Sequence, residues 1–182
     1  PSTDELITVA NHKALTEKES ILKNIEKLEE KPTMEFFTIT TADNVEMDGW
    51  MVKPTKFDPT KKYPVVFYVY TEPAGTTVTD TYNVSRSLYN GDMAKDGYIY
   101  ISLDNRGTPA PKGREWRKSI YRKIGVLNIN DQAMAATEIL KWNFVDADRV
   151  AVWGWSGGGS ATLNLMFRYP EIYKTGISVA AV

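Results

Sequence analysis

Five residues in this chain have the types and spacing of acyl-transfer chemistry. They are Gly154-Trp155-Ser156-Gly157-Gly158, a G-x-S-x-G. A nucleophilic serine must project from a tight, strained backbone turn between a strand and a helix. The positions two before and two after it approach neighbouring backbone closely, and glycine tolerates that approach. The helix that follows aims its first N–H groups at the place where negative charge develops. Here the motif follows the apolar run 149–153 and opens an apolar helical stretch, the setting this chemistry needs. The backbone N–H of Gly157 is the candidate oxyanion donor. The plain alternative is a glycine-rich turn that only packs. A phosphate loop is excluded, because no lysine follows the glycines, and no G-x-G-x-x-G starts in this segment.

A serine nucleophile needs a general base, and the base needs an orienting acid. In folds with this elbow the order along the chain is serine, acid, histidine. The 26 residues after Ser156 hold one acid, Glu171, and no histidine. The single histidine, His12, lies far upstream in a charged segment and reads as a surface or linker residue. The sequence of 182 residues has no cysteine, which removes thiol nucleophiles, disulfides and thiolate zinc sites. No metal and no cofactor is called for. With 22 basic and 23 acidic residues the net charge is −1, so nothing draws the chain as a whole to nucleic acid. No apolar run approaches the ~20 residues of a membrane span.

The elements that must position Ser156 are readable from periodicity. Residues 64–70, 98–103, 150–153 and 176–182 are near-continuous apolar runs, as strands buried on both faces demand. Helical stretches near 84–95, 128–142 and 158–169 lie between them, the order of a parallel α/β fold. Upstream, residues 35–40 and 46–52 alternate about an Ala42-Asp43-Asn44 turn and read as a hairpin. Residues 1–34 form a separate connector. Within it Leu15, Leu22, Ile25 and Leu28 make one apolar stripe, and Thr16 with Glu19 suggests a capping box. Lys112–Lys123 holds six basic residues with Trp116 and Tyr121 and reads as a solvated loop and helix rather than a nucleic-acid surface. Asn83-Val84-Ser85 is a glycosylation sequon by pattern.

Several segments, in order, resemble the dipeptidyl peptidase IV branch of the prolyl oligopeptidase family. Val150 to Gly158 is similar to its nucleophile segment, and Lys62 to Val66 with Val69-Tyr70 to its third strand. Leu103-Asp104-Asn105-Arg106-Gly107 resembles its D-x-R-G turn. Ile124-Gly125, Asp131-Gln132, Phe144-Val145-Asp146 and Arg149 match the links to the elbow. The resemblance covers about 35–182. It implies a truncated α/β-hydrolase fold, a mostly parallel sheet with helices on both faces, ending near the sixth strand. It implies Ser156 as nucleophile, the Tyr70 hydroxyl and Gly157 N–H as oxyanion donors, and Gly154 and Gly158 as elbow glycines. It implies a serine exopeptidase that releases short N-terminal peptides, placed in the periplasm or outside the cell, with a peptide substrate. By residue type alone, Tyr70 reads first as a strand-end aromatic packing its ring in the core, and only the resemblance favours the hydroxyl's role.

Two positions depart from the family pattern. An aromatic residue usually follows the nucleophile, where Gly157 stands, and a glycine usually occupies the place of Glu72. Glu72 reads first as a solvated loop carboxylate and second as a contact to a substrate amine. Arg106 reads as one half of a structural ion pair. Since acid and histidine do not follow Ser156, the expectation is a piece of a catalytic domain, without its propeller and inactive alone. Strand six then becomes an apolar edge, and self-association through 176–182 is expected. The rival readings are an esterase or acyl hydrolase of the same fold and a non-catalytic binding scaffold.

Overall fold

The structure is a computed structural model that describes residues 13–23, 34–80 and 96–182. The chain divides into two compact units, Pro1–Pro32 and Thr33–Val182. In the first unit helix α1 spans residues 13–23, with Leu15, Ile21 and Leu22 exposed. Helix is already present three residues before Thr16, so Thr16 sits inside it and cannot be its N-cap; the expected capping box does not form. Ile25, Leu28, His12, the expected helix over 84–95 and the sequon lie outside the described residues.

The second unit is built on one six-stranded sheet. Its strands are β1 (Met34–Thr40), β2 (Glu46–Val52), β3 (Tyr63–Tyr68), β4 (Ile99–Leu103), β5 (Val145–Trp155) and β6 (Thr175–Val179). Helices α2 (Gly113–Lys118) and α3 (Leu127–Ile139) lie between β4 and β5. Helix α4 (Gly157–Arg168) lies between β5 and β6. The spatial order is β1-β2-β4-β3-β5-β6. β1, β2 and β4 pair antiparallel, while β4, β3, β5 and β6 run parallel. The expected hairpin is β1–β2, and Asn44 in its turn takes φ 61°, a conformation asparagine accepts more readily than most residues. This mostly parallel sheet with its helices is that of an α/β-hydrolase.

The apolar runs sort by alternation onto two faces. Val65, Phe67, Ile99, Ile101, Val150 and Val152 turn to one side and join Ala133, Ala136, Ile139, Ala161 and Leu165 of the helices in the main core. Small alanines on α3 let the helix approach the sheet closely. The alternate positions carry Tyr68, Tyr100 and Trp153: the Tyr68 and Trp153 rings lie 4.8 Å apart and tilted by 34°, and the Trp153 Nε1–H donates to the Tyr100 hydroxyl at 3.1 Å.

β6 departs from its expected burial. Residues 175–178 are exposed, with Ile177 60% accessible, although the run 176–182 reads as doubly buried. The reason is position: β6 pairs with β5 on one side only and packs against α4 on one face. Among the described residues its other edge is free.

For the site, one consequence of this topology matters. β3 and β5 are adjacent and parallel, with Tyr68 opposite Trp153. Their C-terminal ends therefore open on the same edge of the sheet, Tyr70 following β3 and Ser156 following β5. Crevices at such strand ends are where open α/β sheets bind ligands.

Candidate active site

Ser156 links β5 to α4 with φ 56° and ψ −123°. A non-glycine residue in the positive-φ half of the map is strained and persists only where its surroundings hold it. Three contacts hold this one. The Ser156 N–H donates to the Val179 carbonyl at 2.9 Å, tying the turn to the end of β6. Its carbonyl accepts the Ser160 N–H at 3.1 Å, the first bond of α4. The residues that follow β3 meanwhile crowd the elbow glycines. A Cβ on Gly154 would stand 2.5 Å from the Gly158 carbonyl carbon and oxygen and against the Val69 carbonyl. A Cβ on Gly158 would strike the same Val69 carbonyl. The two glycines let the turn close onto the end of β3.

α4 begins on Gly157, and no side chain caps it. Its first-turn N–H groups, from Gly157 onward, lack intrahelical acceptors and carry the positive end of the helix dipole. Ser156 itself is half-buried, so its hydroxyl is reachable from solvent. Strained serine, uncapped helix and accessible hydroxyl together suit attack on an acyl carbon with the resulting oxyanion held by backbone N–H groups.

Tyr70 stands next to this turn. Its Cα would lie 3.2 Å from a Cβ on Gly158. The side chain is half-buried, and its hydroxyl makes no hydrogen bond among the described residues.

The loop after Tyr70 is held by a buried polar network. Thr71 takes φ 71°, a second strained non-glycine residue. Its carbonyl accepts from Asn105 Nδ2 at 3.2 Å and from Asn128 Nδ2 at 3.4 Å, and its hydroxyl oxygen accepts from Asn128 Nδ2 at 3.1 Å. Asp104 catches the loop further on, accepting from the Thr77 and Val78 N–H groups at 2.8 and 3.2 Å. Burial pushes the Asp104 carboxyl above the ordinary carboxylate range, against the pull of those N–H bonds. Gln132 closes the network by donating to Leu103 and Asn105 oxygens at 2.9 and 3.0 Å.

Arg106 forms the expected structural ion pair. Its Nη2 lies 2.6 Å from Asp131, whose side chain is fully buried. Its Nε and backbone N–H donate to the same carboxylate. Burial pushes the Asp131 carboxyl up, and these charge-assisted bonds oppose it. The pair pins the start of the 104–107 turn to α3.

The sequence reading did not assign Thr71, Asn105 or Asn128. A signal for part of this existed: Asn128, Asp131 and Gln132 fall at i, i+3 and i+4, one polar face on a helix whose other buried residues are apolar. Glu171 is exposed in the short turn between α4 and β6. In the basic segment, Lys112 pairs with Asp48 at 3.0 Å and lies over the Trp116 ring, while Tyr121 is exposed, so the segment is a solvated loop and short helix.

The Prolyl oligopeptidase family model matches residues 86–182. The chain belongs to the prolyl oligopeptidase family. It is 34% identical over 172 residues to dipeptidyl peptidase 4 of Trichophyton equinum, covering 93% of this chain and 22% of that protein. It is 33% identical over 168 residues to human prolyl endopeptidase FAP, covering 91% of this chain and 21% of that protein. The crystal structure of Porphyromonas gingivalis dipeptidyl peptidase 4 superposes with a TM-score of 0.76 at 41% identity, over 83% of this chain and 21% of that one. The chain thus spans about a fifth of the length of the relatives it matches. It is part of a serine peptidase family of dipeptidyl peptidase type.

Proposed function

We propose that Ser156 is the nucleophile of a serine exopeptidase that removes short N-terminal peptides. The observation that carries this reading is the strained φ of Ser156 at the head of an uncapped helix. The hydroxyl attacks the scissile carbonyl, and the carbonyl oxygen gains charge as the C–O bond forms. The Gly157 N–H and the Tyr70 hydroxyl donate to that oxygen, and the Asp104, Asn105 and Asn128 network keeps Tyr70 in register with the turn. The amine leaves with a proton delivered by the base, and water then releases the acyl group.

This chain spans about a fifth of the length of its relatives, and in this reading the base and its orienting acid are supplied by the rest of the longer protein. The polypeptide alone is accordingly inactive in turnover, and it associates with itself through the free edge of β6. Sedimentation of the isolated polypeptide tests the association: a monodisperse monomer refutes it.

Fluorophosphonate labelling of the intact protein, with release of a dipeptidyl reporter, tests the assignment. Labelling and turnover are both lost in Ser156→Ala. An intact protein that does not label is a binding scaffold. One that labels and cleaves esters but no peptide is an esterase of the same fold.

A further inference from the structure

Glu72 does not behave as a solvated loop carboxylate. Its side chain is half-buried and lies over Gly157, the residue after the candidate nucleophile. A Cβ built on Gly157 would stand 2.6 Å from Glu72 Cγ and would strike its Cδ and Oε1. The carboxylate therefore occupies the room that a side chain at 157 would need. The two positions are coupled: a side chain at 157 would have to displace the Glu72 carboxylate from this place.

The backbone of Glu72 is fixed from both sides. Thr71 before it is tied through its carbonyl to Asn105 and Asn128. Pro73 after it confines residue 72 to extended conformations. No ion pair or hydrogen bond of the Glu72 carboxylate exists among the described residues. A carboxylate without a partner among the described residues thus lies against Gly157, the first residue of α4.

That position has a chemical consequence. When an acyl carbon is bonded to the Ser156 oxygen with its oxyanion on the Gly157 N–H, the substituents on its α-carbon lie within a few ångströms of residue 157. A fixed negative charge there opposes the developing oxyanion when the substrate is neutral. A cation on the substrate's acyl residue removes that penalty and adds an attraction. We propose that Glu72, seated on Gly157, is a specificity-determining residue that selects substrates with a basic side chain in the residue whose carbonyl is attacked. The proposal rests on Ser156 being the nucleophile.

The test uses the intact protein and two peptidyl reporters that differ only in the attacked residue, lysine or norleucine, which share a chain of similar length. The unsubstituted protein cleaves the lysine reporter with the higher kcat/KM. Glu72→Gln, which keeps the volume and removes the charge, lowers the lysine-to-norleucine ratio by about tenfold and raises kcat/KM for norleucine. Gly157→Ala displaces the carboxylate and moves the ratio the same way. A merely space-filling Glu72 leaves the ratio unmoved in Glu72→Gln. That result, or a preference for norleucine in the unsubstituted protein, overturns the proposal. Fluorophosphonate labelling separates the two claims: normal labelling with an unmoved ratio overturns this inference alone, and absent labelling overturns the Ser156 reading with it.

Discussion

Gly154→Ala is the sharpest test of how the elbow is held. The added methyl would stand 2.5 Å from two backbone atoms of Gly158 and closer to the Val69 carbonyl. Ordinary contacts begin near 3.4 Å, so the turn must open by about 1 Å. None of these neighbours is the free end of a side chain that could swing away. The backbone on each side is also tied, Val69 N–H to the Trp153 carbonyl at 3.0 Å and Ser156 N–H to the Val179 carbonyl at 2.9 Å. Opening the turn strains or breaks at least one of these bonds. Overpacking of about 1–3 kcal/mol plus a lost bond of about 1 kcal/mol gives a local cost of about 2–4 kcal/mol. A misplacement of about 1 Å at a nucleophile lowers reactivity by about a hundredfold. The assay is the rate of fluorophosphonate labelling of the intact protein, with hydrogen exchange at the Ser156 amide beside it. The expected result is slow labelling together with lost protection. Gly97→Ala is the control: its φ of +85° costs something, but nothing lies within 4 Å of its Cβ. It leaves labelling unchanged. Unchanged labelling and full protection in Gly154→Ala would refute the steric argument.

Further predictions follow from the loop network. Asn128→Ala frees the Thr71 hydroxyl and the Gly125 N–H, which now donates to Asn128 Oδ1 at 2.8 Å. It destabilises the protein by about 2 kcal/mol in denaturant titration and slows labelling, whereas an exposed control such as Asn143→Ala does neither. Asp104→Asn tests the buried carboxyl. Because its folded pKa lies above the unfolded value of 3.8, the stability it contributes is greatest below that value and falls as pH climbs through the raised one. The difference in denaturation midpoint between parent and variant therefore moves against the parent as pH rises above about 4. A difference that grows in the parent's favour over that range contradicts this sign. Ser156→Gly relieves the positive φ and removes the hydroxyl, so labelling disappears while stability rises by up to about 1 kcal/mol. Loss of stability in that variant would mean that Ser156 is not strained.

The elbow was legible because its constraints are local. Glycines flank a serine between an apolar strand and an apolar helix, and each of those features occupies consecutive residues. The sheet was legible for the same reason, through β-branched runs such as Val65-Val66 and Ile99 to Ile101. The burial of β6 was not, since a run of apolar residues records what a strand can bury and not which neighbours it has. The seat of Glu72 was hidden for a stronger reason. Its meaning depends on Gly157, 85 positions away, and only the pairing of β3 with β5 brings the two together. The Thr71 anchors were hidden likewise, one on the turn after β4 and the other on α3.

The same geometry explains where this molecule keeps its strain. Among the described residues five non-glycine residues have positive φ, and three of them, Thr71, Ser156 and Ala180, follow β3, β5 and β6. Those strands are neighbours and parallel, so all three strained residues fall on one edge of the sheet. They are also linked. The Val179 carbonyl, next to Ala180, accepts the Ser156 N–H, and the Val69 carbonyl, two residues before Thr71, limits the elbow glycines. Three strained residues gathered on one edge and linked by shared contacts mark an organised site. The edge is also where the uncapped head of α4 opens. If that strain served only to turn the chain, relieving it at Ala180 with glycine would leave Ser156 untouched. If the three turns act as one unit, Ala180→Gly loosens the Val179 carbonyl and slows fluorophosphonate labelling while making the fold no less stable. Labelling at the parent rate in Ala180→Gly would show that the turns are independent.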